Sequence, residues 1–119
     1  MSRDYRLYLD DIVESAARVE RYTQGLSLAE FQDSDMAHDA VLHNLLVIGE
    51  AVKNIPVEVR DRYPDVAWRA IAGLRDVIAH GYFGLIDETI WDIVQHEMPP
   101  LLKQMRAIIA AESTDSLNE

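Results

Sequence analysis

Apolar residues in this chain recur at three- and four-residue steps, and no segment alternates as a half-buried strand would. From Tyr5 to Tyr22 they fall at Leu9, Ile12, Val13, Ala16, Val19 and Tyr22, the period of a helix with one buried stripe. Gly25 is placed to stop that helix. Ser27-Leu28-Ala29-Glu30 has the form of a capping box opening a short helical turn. Ser34 or Asp35 can cap a second long helix reaching about Asn54. Its apolar positions Ala40, Val41, Leu42, Leu45, Leu46, Ile48, Val52 and Ile55 cover much of its circumference. Such a helix is expected to be buried on two sides, in the subunit core and at a subunit contact, and Gly49 and Ala51 are small enough to admit another helix closely. Pro56 starts a short helical stretch over residues 57–63 and Pro64 ends it. Asp65 is placed to cap a piece over residues 68–80, with Ile71, Leu74, Val77 and Ile78 at helical spacing, broken by Gly81 and Gly84. Asp87 is placed to cap a further helix holding Ile90, Trp91, Ile93 and Val94. Pro99-Pro100 interrupts or restarts it before residues 101–111. The pattern predicts an all-α, up-and-down bundle of four to five helices.

A length of 119 residues suits one domain with one core. Residues 1–112 are assigned to the helical domain and the polar residues 113–119 to a flexible tail. The absence of cysteine excludes disulfides and thiolate-bound zinc and fits a reducing cytoplasm. Met1-Ser2-Arg3-Asp4 leads into amphipathic sequence without a secretory pattern, and no apolar run approaches the roughly 20 residues that span a bilayer. The expectation is a soluble, cytoplasmic protein with no membrane partner. A net charge of −10 disfavours broad affinity for nucleic-acid backbones. DNA is not an expected partner, and any RNA chemistry must use a local cationic site. His38 and His43 stand five apart, not the three or four that put two ligands on one helical face, and no His-Glu-x-x-His occurs. Asp33-Ser34-Asp35 lacks the downstream spacing of a calcium loop. No metal and no cofactor are expected. Trp68 and Trp91 are read as core.

The stretch that can carry chemistry is Arg75-Asp76-Val77-Ile78-Ala79-His80-Gly81-Tyr82. It puts a permanent cation, an imidazole and a phenol near a helix end. At about 100° per residue, Arg75 and Tyr82 share a face while His80 points away, so the helix must end near His80 for the three to converge. Asn44 and Glu50, polar groups in apolar company, are read as hydrogen-bonding residues of the core or an interface.

Arg, four residues, His, one residue, Tyr resembles the signature of HEPN ribonucleases. Further words narrow the resemblance to the HepT-like branch of toxins. They include Arg21-Tyr22, Gly25-Leu26-Ser27, Asp39-Ala40-Val41, Asn44-Leu45, Ile48-Gly49-Glu50-Ala51, Arg62-Tyr63-Pro64, Trp68, Ile71-Ala72-Gly73-Leu74-Arg75-Asp76, His80-Gly81-Tyr82-Phe83 and Trp91. They occur in the same order and cover residues from about 5 to 108.

The resemblance implies a homodimer that cleaves RNA without a metal, with transfer RNA among the candidate substrates. A substrate 2′-hydroxyl attacks the adjacent phosphate, leaving a cyclic phosphate and a 5′-hydroxyl. Such chemistry needs a proton carrier titrating near neutrality, here His80 as general base or acid. It also needs a cation on the phosphate oxygens, here Arg75. Asp76 is expected to hold Arg75 or the opposite His80. Tyr82 either orients substrate or accepts AMP from a partner, an MntA-like minimal nucleotidyltransferase acting as antitoxin. Two copies of Arg75 facing one cleft would supply the local positive charge. The alternative is a non-catalytic dimeric module that binds a nucleotide or the nucleotidyltransferase.

Overall fold

The computed structural model describes residues 3–81 and 87–117, with side chains described for all of these but 80–81 and 114–117. Among the described residues every regular element is helical. They run α1 (Tyr5–Thr23), α2 (Leu28–Asp33), α3 (Asp35–Lys53), α4 (Val57–Asp61), α5 (Trp68–Ala72), α6 (Leu74–Gly81), α7 (Asp87–Asp92), a π turn (Ile93–Glu97) and α8 (Met98–Leu117). The all-α expectation holds. The long elements are α1, α3 and the run from α7 through α8, and the short helices serve as connections.

Local chemistry sets most boundaries. Asp4 accepts a hydrogen bond from the Arg6 amide at the start of α1, and Gly25 turns the chain at φ 79°, a conformation that suits glycine. The capping box forms as expected: Ser27 Oγ accepts from Glu30 N, and Ser27 N donates to Glu30 Oε1, both at 3.1 Å. Ser34 caps α3 by accepting from Ala37 N. Asp65 does not cap α5. That helix opens at Ala67 without a side-chain cap, because the chain first turns through Tyr63 and Val66, and Trp68 Nε1 donates back to Tyr63 O at 2.9 Å. The segment expected as one helix over residues 68–80 is two, hinged at Gly73. Asp87 lies inside the first turn of α7, and its carboxylate faces His38 Nε2 at 3.0 Å.

The core is built on α1 and α3. Leu9, Ile12, Ala16 and Val19 form the fully buried stripe of α1, whereas Tyr22 is 40% exposed and Thr23 is buried in its place. Helix α3 buries Val41, Leu42, Leu45, Ile48, Ala51 and Val52. Within the chain it packs against α1, α5 and α6. Phe31, buried on α2, packs against the rings of His38 and Trp91. Trp68 is buried and Trp91 half-buried.

A π turn resolves the Pro99-Pro100 problem. Proline cannot donate to the carbonyl four residues back, and its ring crowds that carbonyl. Here the turn just before the prolines widens, and Met98 N bonds Ile93 O, five residues back, a bulge of the kind that lets one helix continue past a defect.

The two ends of the chain meet at Glu112, which is 2% exposed. Its carboxylate accepts from Tyr5 Oη at 2.5 Å, Tyr63 Oη at 2.6 Å and Arg62 Nη2 at 2.7 Å. Burial on its own would raise the Glu112 pKa. The two phenol hydrogen bonds and the Arg62 charge outweigh it and hold the carboxyl below its ordinary range. Helix α8 continues through Leu117, into the segment that composition assigns to the tail.

Where α3 crosses α6, Gly49 leaves no room for a side chain. A Cβ there would stand 3.0 Å from Arg75 N and 3.2 Å from Arg75 Cβ.

Two outcomes follow. Because the folded Glu112 pKa is depressed, its contribution is present above the ordinary carboxylate pKa and is lost as pH falls through the folded value. Glu112→Gln should cost about 1.5–3 kcal/mol at pH 7. Urea melts at successively lower pH should show the gap to wild type shrinking, and a gap constant with pH would contradict this account. Gly49→Ala should destabilise by about 1 kcal/mol or more, because the obstructing atoms are backbone and Cβ. Helix propensity alone predicts the opposite sign, a gain of about 1 kcal/mol, so denaturant unfolding of this variant decides between the two.

Candidate active site

Helix α6 presents the signature through its own amphipathicity. Ile78 is 3% exposed and anchors the helix inward, with Leu74 half-buried beside it. Arg75, Asp76, Val77 and Ala79 face outward. The Gly49 contact fixes the start of this helix on α3, so the backbone that carries Arg75 is set by packing rather than by a loop.

The guanidinium of Arg75 is half-exposed, and its Nε lies 3.0 Å from Glu50 Oε2. Next along the same seam, Lys53 Nζ stands 3.9 Å from Asp76 Oδ1. Glu50 makes an ion pair with Arg75, and Asp76, expected to hold Arg75 or the opposite His80, also stands within ion-pair distance of α3. Glu50 is not a core residue, with 58% of its side chain exposed. Asn44 is buried as expected. Its Nδ2 donates to Ala40 O at 2.8 Å, and its Oδ1 meets no donor among the described residues.

The backbone of His80 belongs to α6, whose described residues run from Leu74 to Gly81. The His80 side chain and the whole of Tyr82 lie outside the described residues, and so does their convergence with Arg75. Asp87, at the start of α7, is joined to α3 through His38. Sequence reasoning missed both cross-helix contacts. For Glu50 the available signal was its place beside Gly49, at the closest helix crossing; for His38 and Asp87, 49 residues apart, there was none.

A separate groove of about 670 Å³ runs between α1 and the π turn, lined by Arg21, Gln24, Gln95 and Arg106 among others. It contains no signature residue. Among the described residues no group of three or more His, Cys, Asp or Glu is placed to hold a metal ion, and no helix is long and apolar enough to cross a membrane.

Comparison with known proteins identifies the family of the chain. The family model described as "Ribonuclease HepT-like" matches residues 12–108. A Methanocaldococcus jannaschii protein named "Putative RNase MJ0127" is 40% identical over 107 residues, covering 90% of this chain and 88% of that protein. A second from the same organism, "Putative RNase MJ1216", is 36% identical over 90% of this chain and 88% of its own length. "Probable ribonuclease HepT" of Thermococcus cleftensis is 35% identical over 85% of this chain and 92% of its own length. No solved structure matches. An all-helical chain that carries Arg75 and His80 on one helix, matched by this family over most of its length, belongs to the HepT-like ribonuclease family.

Proposed function

We propose that this chain is a metal-independent RNA endonuclease, the toxin of a toxin–antitoxin pair, acting in the cytoplasm as a homodimer. The observation that carries the reading is Arg75: a half-exposed guanidinium on the helix whose backbone also carries His80, in a chain of the HepT-like ribonuclease family.

The chemistry follows from the residue types. Cleavage by the neighbouring 2′-hydroxyl builds charge on the phosphate oxygens, and a preorganised guanidinium is a planar, permanently charged donor for them. A proton must leave the 2′-hydroxyl and another must reach the departing 5′-oxygen. An imidazole titrates in the range that serves either transfer, and His80 has that role. Helix geometry supports a site shared between copies. Positions 75 and 80 are five residues apart on α6, about 140° around the axis, so one helix alone separates them. A second copy related by a two-fold axis supplies the missing group and doubles the arginine, which offsets the net charge of −10. Val77, 46% exposed between them, is an apolar residue that such a contact would cover.

The partner that silences the site is a minimal nucleotidyltransferase that adenylylates Tyr82. An added AMP places bulk and negative charge two residues from His80, where an RNA phosphate would have to sit. Transfer RNA is the candidate substrate.

Purified chain should cleave RNA in excess chelator, leaving 2′,3′-cyclic phosphate and 5′-hydroxyl ends. His80→Ala and Arg75→Ala should each lower the rate by on the order of 10²–10³, with folding preserved by circular dichroism. Wild-type cleavage by His80→Ala would remove the assignment.

A further inference from the structure

The ribonuclease reading above uses Arg75 but leaves unexplained what holds a long, half-exposed side chain in place. An arginine has about 2 kcal/mol of rotamer entropy to lose, and catalysis by preorganised charge fails if the cation wanders, since misplacement by about 1 Å can cost on the order of 10² in rate. Packing against Gly49 fixes the Arg75 backbone and Cβ. Beyond the Cβ, its ion-pair partner is Glu50, with Oε2 at 3.0 Å from Nε.

We propose that Glu50 is a positioning residue for the RNA-cleaving reaction, its carboxylate seated against the Nε side of Arg75 so that the terminal guanidinium nitrogens are left to the scissile phosphate. The inference rests on the ribonuclease reading and adds a residue to it. Three observations support it. The contact is built into the fold: Glu50 follows Gly49, the point of closest approach between α3 and Arg75, so the two side chains leave the crossing together. The nearest competitor is engaged elsewhere: Lys53, three residues on along α3 and within reach of Glu50 on helical spacing, spans to Asp76 instead. Stability does not account for the pair, since both side chains are more than half exposed and exposed ion pairs contribute little.

The charge of Glu50 gives the proposal a distinctive signature. A carboxylate beside the phosphate site opposes binding of RNA, so removing it cannot weaken ground-state affinity by lost attraction. What is lost is the fixed guanidinium in the transition state. The effect must therefore fall on kcat and not on binding.

The test uses the full-length chain with Glu50→Ala, Glu50→Gln and Arg75→Ala. Turnover is measured on RNA, and affinity on the same oligonucleotide carrying 2′-O-methyl groups, which cannot be cleaved. Glu50→Ala should lower kcat about 10- to 100-fold, with Kd for the methylated RNA equal to wild type or tighter and Tm within about 2 °C. Glu50→Gln, whose amide oxygen can still face Nε, should recover kcat to within about threefold of wild type. If Arg75→Ala is impaired while Glu50→Ala turns over at the wild-type rate, the role of Glu50 is overturned and the ribonuclease site stands. A Glu50→Ala loss matched by a lower Tm or weaker Kd also overturns it, as a structural effect. If Arg75→Ala cleaves at the wild-type rate, the site reading fails and the role of Glu50 fails with it.

Discussion

The crossing of α3 and α6 at Gly49 sets the geometry on which the rest of the molecule's outer face depends. A hydrogen in place of a side chain lets the Arg75 amide come within van der Waals contact of α3. Every outward group of α6 inherits its position from that approach. Arg75 emerges beside Glu50, Asp76 emerges beside Lys53, and Ile78 turns inward to seal the seam. A bulkier residue at the crossing would move all of these together, because cores and helix contacts shift as units and do not deform smoothly.

Electrostatics is arranged at two depths. At Glu112 a buried carboxylate is matched by two phenols and a guanidinium, drawing the start of α1, the turn after α4 and the end of α8 together. Burial makes each donor matter there, because an unmatched charge in that place would be costly. Along the α3–α6 seam the charges stand in water, where pairing adds little to stability but can still bias where a flexible cation rests. The first arrangement belongs to folding; the second is free to serve function.

Much of this was legible in the sequence wherever the determining contacts are local. The α1 stripe, the Ser27 capping box, the Ser34 cap and the stop at Gly25 each depend on residues within one or two turns, so spacing alone locates them. The breadth of apolar residues on α3 indicated extensive burial, which α1, α5 and α6 provide within the chain. Asp65 failed as a cap because the Trp68 indole and its bond to Tyr63 delay the helix start. The Arg75–His80 motif could be found because its members are five residues apart. Glu50 could be singled out beside Gly49 but its partner could not, and Glu112 and the His38–Asp87 contact were not legible at all, since on a single amphipathic helix an acidic residue bound for a distant partner looks the same as one bound for solvent.

The π turn has a consequence for the far end of the molecule. Buried positions run Ile90, Val94, Met98, Leu102 and Met105. In an ideal α-helix each four-residue step overshoots a full circle by about 40°, so the spacing from Ile90 to Met98 would carry the apolar side about 80° out of phase. The wider turn absorbs much of that drift, and α8 stays aligned with α7. The alignment then extends to Glu112, which must arrive facing Tyr5 and Tyr63. The proline pair and the bulge before it thus act as a phase corrector, set some fifteen residues upstream of the clamp that depends on it. One residue added or removed between the bulge and Glu112 would have nothing to absorb it, and would swing that carboxylate about 100° away from its phenols.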